Sequence, residues 1–129
     1  MMAIRAGLIV QTEFLRLVLR QLLRRQVGVE IVGEGAALAD AARLAAANLL
    51  IVEQSLCPRA LEVLALLGQH PAAQIILVGT GETLPPLAGV PAERIFFLPA
   101  GSAASAIDPS SLTERLDGLL RSHRAALPP

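Results

Sequence analysis

Short apolar runs alternate along this chain with segments in which apolar residues recur every three or four positions. The runs predict β-strands and the periodic segments predict helices, because one face of a helix returns about every 3.6 residues. The predicted strands are Ile4–Val10, Val29–Val32, Leu49–Val52, Ile75–Val78 and Ile95–Leu98. Strands alternating with helices are typical of βαβ units, so the pattern predicts a doubly wound, five-stranded parallel α/β sheet.

The first predicted helix, from about Thr12 to Arg25, has the clearest periodicity. Its expected buried face consists of Phe14, Leu15, Val18, Leu19, Leu22 and Leu23. The opposite face carries a stripe of three arginines, Arg16, Arg20 and Arg24. Such a stripe is typical of a solvated helix face, and its alternative interpretation is a docking surface for an acidic partner.

The remaining helices are predicted at about Leu38–Ala46, at Pro58–Leu67 and from Asp108 or Ser110 to about Arg124. Gly33-Glu34-Gly35 is interpreted as the turn before the first of these, and Gly68 as the residue that stops the second. Apolar positions on the second are Leu61, Val63, Leu64 and Leu67. Between the last two strands, Pro85 and Pro86 leave room for at most a turn or two of helix.

The composition of the chain limits the classes of function that it could have. The 129 residues fit one domain, predicted at 1–124 with 125–129 as a tail or the start of a linker. With 53% apolar residues, no run long enough to cross a bilayer and no signal-peptide pattern, a soluble cytoplasmic domain is expected. Eleven arginines, with no lysine, balance eleven acids, so neither nucleic acid nor membrane is an expected partner. Cys57 is the only cysteine, which excludes an internal disulfide.

In a doubly wound sheet, sites form at the carboxyl ends of the strands. The residues brought to that edge by the predicted strands are Gln11 and Thr12, Glu53 to Leu56, Gly79 and Thr80, and Leu98 and Pro99. Any function should be sought there first. His70 and His123 lie far apart in the sequence and form no pattern of a metal site or a nucleophilic dyad.

The segments Ile4–Val10, Val29–Glu34 and Asn48–Leu56 resemble the first three strands of the receiver domain of bacterial two-component response regulators. The resemblance extends over nearly the whole chain, and is greatest to the receivers of LuxR/NarL-type regulators. It implies a flavodoxin-like sheet with strand order 2-1-3-4-5. The fourth helix of that fold would be short or degenerate here.

A receiver accepts a phosphoryl group on an aspartate that ends the third strand, with a divalent cation held by two acids after the first strand. The resemblance places neutral Gln11 and Thr12 at the acidic pair and the longer Glu53 at the aspartate. Magnesium prefers carboxylate oxygen ligands, so weak metal binding and no phosphorylation are expected.

The other positions of the resemblance also depart from the family. Leu98 stands where the family has lysine, followed by Pro99 as in the family's Lys-Pro pair. The hydroxyl residue after the fourth strand aligns with Gly79, and Thr80 is the alternative after a small shift. A leucine supplies no charge to stabilise a phosphoryl group.

Two interpretations of Glu53 stay open. Its fixed negative charge could imitate the phosphorylated state and hold an active-like arrangement. Alternatively, it is a residual polar side chain that is solvated or bonded to Thr12 or Ser55.

The sequence therefore predicts a pseudo-receiver of a two-component or phosphorelay system: a non-enzymatic regulatory domain without cofactor or metal. It would act by binding a protein partner or itself, as a homodimer. The candidate surface for this contact comprises Arg16, Arg20 and Arg24, because the family's first helix commonly meets its signalling partner, together with Phe96 and Phe97 in the fifth strand.

Two alternatives are the N-terminal receiver part of a LuxR-type transcription regulator, and a flavodoxin-like small-molecule-binding domain or enzyme. A helix-turn-helix pattern in a longer chain would favour the first. The second requires an apolar pocket with convergent polar groups at the strand ends.

Overall fold

Five parallel strands form one sheet in the order β2-β1-β3-β4-β5. The computed structural model describes residues 4–57, 59–79, 89, 94–99 and 109–126. The elements in chain order are β1 (Ile4–Ile9), α1 (Glu13–Arg24), β2 (Val29–Gly35), a first 3₁₀ helix (Leu38–Arg43), β3 (Leu49–Glu53), a second 3₁₀ helix (Gln54–Leu56), α2 (Ala60–Gln69), β4 (Gln74–Gly79), β5 (Ile95–Pro99) and α3 (Pro109–Ala126). The predicted doubly wound α/β fold and its strand order are confirmed.

The sheet separates two hydrophobic cores because successive strand residues point to opposite faces. In β3, Leu49 and Ile51 face α1 and α3, whereas Leu50 and Val52 face the first 3₁₀ helix and α2. All four residues are fully buried. A strand covered on both sides needs no polar alternation, which is why β3 is a continuous apolar run in the sequence.

Helix α1 lies within one residue of its predicted bounds, with Thr12 as its N-cap. Its buried residues are Leu15, Leu19, Leu22 and Leu23, and Val18 is half-buried. The placement of Phe14 in the core was wrong, since this side chain is 58% exposed. Phe14 is turned about 100° from Leu15, on the side away from Leu19, so the helix directs it to solvent.

The predicted turn at Gly33-Glu34-Gly35 is wrong, because all three residues belong to β2. Gly33 pairs with Gly7 of β1. The two glycines leave space above the sheet that Leu44 fills: a Cβ atom at Gly7 would lie 2.8 Å from Leu44 Cδ1, and one at Gly33 would also overlap Leu44. The glycines therefore serve close packing on a strand and not a chain reversal.

The alanine-rich segment forms a 3₁₀ helix at Leu38–Arg43 and not the predicted helix at 38–46. Asp40 accepts hydrogen bonds from the backbone N–H groups of Ala36 (3.0 Å) and Ala37 (3.1 Å), which cap the start of this short helix. Hydrogen bonds from Arg43 and from this backbone hold the pKa of Asp40 below its usual value. Ala41 and Leu44 are buried against the sheet, and this tertiary packing overrides the helix propensity of alanine.

Helix α2 continues through Gly68 to Gln69, so the predicted stop at Gly68 was wrong. No atom lies within 4 Å of the position that a Cβ would take there, so this glycine is an exposed helical position. The predicted apolar face is confirmed at Val63 and Leu67, which are buried, whereas Leu61 is 71% exposed. Leu66 completes the buried face.

Helix α3 begins at Pro109, where the fixed φ of proline suits a first helical turn, and runs to Ala126. Leu112, Leu116 and Leu120 are buried against the same core as α1. The predicted short helix before Arg94 lies outside the described residues. Within the described part of the chain, no helix has the length and apolar character that a membrane span requires.

Candidate functional site

The carboxyl edge of the sheet brings the end of β3 beside the loop that follows β1. These strands are direct neighbours, with Ile9 paired to Val52. Glu53 follows Val52 as the last residue of β3, and Gln11 and Thr12 lead into α1. The predicted juxtaposition of these three residues is therefore what the topology produces.

The Glu53 carboxylate accepts four hydrogen bonds from this rim. Oε1 accepts from the backbone N–H groups of Gln11 (3.0 Å) and Thr12 (2.9 Å). Oε2 accepts from the hydroxyl groups of Thr12 and Ser55, each at 3.0 Å. A carboxylate offers about four lone-pair positions, so its accepting capacity is fully used.

Local structure explains why the carboxylate lies there. Thr12 is the N-cap of α1, and its hydroxyl donates to Glu53 and makes no capping bond. Ser55 lies in the second 3₁₀ helix, directly after β3. The side chain of Glu53 spans the gap between neighbouring strand ends, a reach that the extra methylene of glutamate over aspartate supplies.

The donor set does not fit a divalent cation of the kind that receivers bind. Gln11 and Thr12 direct N–H and O–H hydrogens at Glu53, whereas a cation needs oxygen lone pairs. Both oxygens of the single carboxylate are already engaged. Across the described ranges, no three His, Cys, Asp or Glu side chains are grouped so as to hold a metal.

At the end of β4, the side chain of Gln54 lies over Gly79. A Cβ atom at Gly79 would lie 3.0 Å from the Cβ of Gln54 and would overlap its amide oxygen. The backbone position aligned with the family's hydroxyl residue is thus covered by the residue that follows Glu53. Thr80, the alternative hydroxyl position, lies outside the described residues. The sequence placed Gln54 at this edge but did not predict its contact with Gly79, for which the only signal was a glycine that leaves room for it.

Leu98, at the position of the family's lysine, is fully buried in the core that α1 and α3 cover. Val10 and Val78 belong to the same cluster. Pro99 ends β5 and pairs with Gly79. The fifth strand therefore contributes an apolar side chain at this position and no charge.

The three arginines of the predicted partner surface are not equivalent. Arg20 forms a bidentate pair with Glu34 through Nε (2.8 Å) and Nη2 (2.7 Å). Arg16 donates to the carbonyl oxygen of Val10 (3.2 Å) and lies 3.9 Å from Glu34. Hydrogen bonding to Glu34 raises the pKa of Arg20 above its usual value. Arg24 alone of the three is exposed.

Glu34 was missed as a partner of these arginines because the sequence placed it in a turn. Its position in β2, beside α1, follows only once that strand is extended to Gly35. The other candidate surface residues, Phe96 and Phe97, are both half-buried. They pack on opposite sides of the sheet, Phe96 with the core under α1 and α3, and Phe97 with the core under α2.

Comparison with known proteins finds solved structures with the same architecture. No family model matches the chain, and no curated protein matches it in sequence. The response regulator domain of Thermotoga maritima CheB is similar in structure, with a TM-score of 0.68 at 17% identity over 98% of this chain and 99% of that one. A LuxR-family two-component response regulator from Aurantimonas sp. SI85-9A1 gives 0.60 at 18% identity over 92% and 86%.

A third similar structure is that of the response regulator RcsB in complex with DNA. Its TM-score is 0.58 at 16% identity, over 95% of this chain and 66% of that chain. The fold of this protein is thus the fold of response-regulator receiver domains, as the resemblance implied. At identities this low, the likeness shows the fold and not the chemistry of the rim.

Proposed function

We propose that this chain is a pseudo-receiver: a regulatory domain of the two-component class that acts by binding a protein partner or itself, without accepting a phosphoryl group. The receiver fold supports the regulatory class. The observation that carries the loss of chemistry is the Glu53 carboxylate, with both oxygens committed to hydrogen bonds from Gln11, Thr12 and Ser55.

Phosphoryl transfer to a carboxylate needs a free oxygen for attack and a cation that offsets the charge developing on the phosphoryl oxygens. Here an attacking oxygen would first have to leave two donors. The neutral side chains of Gln11 and Thr12 provide no hold for a metal, and Leu98 provides no ammonium group. These three features act on different parts of the reaction, so restoring one of them would not restore transfer.

The direction of the Glu53 contacts bears on its two interpretations. Its hydrogen bonds within the described residues run to the loop after β1 and to Ser55, while Gln54 covers Gly79. A charge that imitated a phosphoryl group would have to act on the side of β4 and β5. The contacts therefore favour a static tie between strand ends over mimicry of phosphorylation.

The test is a titration with magnesium and beryllofluoride, followed by amide NMR. We expect no saturable shifts at residues 11, 12 and 53–55, and no adduct of about 80 Da after incubation with acetyl phosphate. A control variant, Gln11→Asp/Thr12→Asp/Glu53→Asp, adds two carboxylates to the rim and shortens the third to aspartate, and it should gain magnesium-dependent shifts in the same assay. Saturable shifts in the unmodified protein, or a labile adduct on Glu53, would contradict the proposal.

The contact surface that we propose on α1 centres on Arg24, because Arg16 and Arg20 are held by Glu34. Exchange of Arg24 for glutamate should weaken association with an acidic partner, or self-association measured by analytical ultracentrifugation. The same exchange at Arg121, which is exposed on α3, is the control. Equal effects of the two exchanges would remove α1 as the contact.

A second candidate function is the receiver part of a LuxR-type transcription regulator. It is favoured by the similarity to the Aurantimonas LuxR-family regulator and to 66% of the RcsB chain solved with DNA. The test is the sequence of the gene beyond codon 129. A helix-turn-helix pattern there supports this candidate, and a stop codon or an unrelated domain removes it.

A further inference from the structure

We propose that α3 is an acid-released element: its C-terminal turns are docked on β4 through the uncharged ring of His123, and protonation of that ring undocks them. This inference does not depend on the proposed function, since His123 lies on the last helix and Gln74 at the amino end of β4, away from the rim that carries Glu53.

The docking contact joins α3 to the amino end of β4. His123 is only 1% exposed, and its Nδ1 is hydrogen-bonded to Oε1 of Gln74. Gln74 is the first residue of β4, at the amino end of the strand, and pairs with Leu49 of β3. An amide oxygen can only accept, which makes Nδ1 the protonated nitrogen of the neutral ring.

The other ring nitrogen makes this contact sensitive to acid. Nε2 of His123 is buried and has no hydrogen-bond partner among the described residues. A second proton would place an N–H group there without an acceptor, and a positive charge in apolar surroundings. The ring can avoid both only by leaving its site.

His123 is also placed so that it can leave without opening the core. Arg121, Ser122 and Ala125 are exposed, and Leu120 is the preceding buried residue on α3. Release of the ring therefore frees the turns after Leu120, while Leu112, Leu116 and Leu120 stay packed.

The described charged groups near the ring are of both signs, and two of them are bonded elsewhere. The described charges on the adjoining elements are Glu114, Arg115, Asp117 and Arg121 on α3, Arg24 and Arg25 at the end of α1, and Arg94 before β5. Asp117 accepts from Gln26, and Arg94 donates to the carbonyl oxygens of His70 and Ala73. Burial lowers the pKa of His123.

Acid should weaken the docking of α3. The undocked ring has its ordinary pKa of 6.5 and the docked ring a lower one. Docking is thus unaffected above pH 6.5, and below it the undocked form binds the proton preferentially. The docking equilibrium should fall by up to tenfold for each pH unit below that value, until the docked ring itself is protonated.

The experiment measures amide hydrogen exchange by NMR between pH 7.5 and 5. The exchange rates are converted to protection factors, which removes the pH dependence that exchange has in an unfolded chain. Amides of residues 121–126 should lose up to tenfold protection per unit below about pH 6.5. They should stay less protected than amides of β3 at every pH, which separates release of α3 from global unfolding. Equal protection in the two regions would overturn the proposal.

Substitutions test whether the pH-dependent loss of protection comes from the His123 ring. His123→Gln keeps a hydrogen-bonding side chain that does not titrate, and the double variant His123→Leu/Gln74→Leu replaces the polar pair by an apolar one. Both should show a flat profile between pH 7.5 and 5. His70→Leu removes the other buried histidine, on the opposite side of the sheet, and should keep the wild-type profile. A pH dependence that survives in both His123 variants, or disappears with His70, overturns the assignment.

Discussion

Replacement of Glu53 by alanine tests whether its hydrogen bonds hold the end of β3 to the start of α1. The change removes the acceptor for two backbone N–H groups and two hydroxyl groups at 2.9–3.0 Å. A net hydrogen bond contributes about 0.5–1.5 kcal/mol, and because these bonds are open to solvent the lower end applies to each. We therefore expect Glu53→Ala to lower the free energy of unfolding by about 2 kcal/mol.

Two further substitutions separate hydrogen bonding from packing. Glu53→Gln has nearly the same volume and keeps an oxygen for the N–H groups of Gln11 and Thr12, while the hydroxyls can turn to accept from its amide. It should cost about 0.5 kcal/mol. Glu53→Asp keeps the charge but is one methylene too short for the same reach, so it should behave more like alanine than like glutamine.

The assay is urea unfolding followed by far-UV circular dichroism, since the chain has no tryptophan or tyrosine. With a slope of about 1–3 kcal/mol per molar urea, a loss of about 2 kcal/mol moves the midpoint by roughly 1 M. Glu30→Ala, an exposed glutamate on β2, controls for the change in net charge. An alanine variant as stable as the wild type, or a glutamine variant as unstable as alanine, would refute the reasoning.

Three other predictions concern positions that the family uses for chemistry and the lone thiol. Gly79→Ala should destabilise the fold by about 1–3 kcal/mol, because the new methyl group overlaps Gln54, and Gln54→Ala should recover most of the loss in a double-mutant cycle of urea midpoints. Leu98→Lys puts an unpaired ammonium into a fully buried site, so it should lower the free energy of unfolding by about 3 kcal/mol or more without creating acetyl phosphate reactivity. Leu98→Met should lower it by less than about 1.5 kcal/mol. A lysine variant that is both stable and reactive would contradict this prediction. Burial raises the pKa of the Cys57 thiol to about 11, so Ellman's reagent at pH 8 should react at the rate of protein opening and accelerate only in urea; rapid labelling of the native protein would disprove the burial.

The strands could be predicted from the sequence because each strand of a covered parallel sheet must be apolar on both faces. The observed strands begin within one residue of the predicted positions. The end of β2 could not be predicted, since Gly33 and Gly35 have the local signature of a turn. Their role depends on Leu44 and Asp40, which approach the sheet only in the folded chain.

The losses at the rim were predictable, and one of the two interpretations of Glu53 also named its side-chain partners, since the hydroxyls of Thr12 and Ser55 both donate to it. The absence of the acidic pair and of the lysine is visible at Gln11, Thr12 and Leu98. That Glu53 satisfies the N–H groups of the β1–α1 loop depends on the register of β1 against β3, which no local pattern encodes. The covering of Gly79 by Gln54 likewise depends on the second 3₁₀ helix, which the sequence did not predict.

The Glu53 network joins the same two strand ends that a bound cation would join in a receiver that accepts phosphate. A cation tie varies with metal and phosphorylation, whereas hydrogen bonds within one chain form whenever the chain is folded. Under the proposed function, a signal that reaches this domain cannot enter through the rim, because the donors there are already satisfied. It must act through a partner on an outer surface or through an element with two stable arrangements. The acid release proposed for α3 would make this helix such an element, because its docking depends on the uncharged ring of His123, whereas the bonds of the rim form whenever the chain is folded.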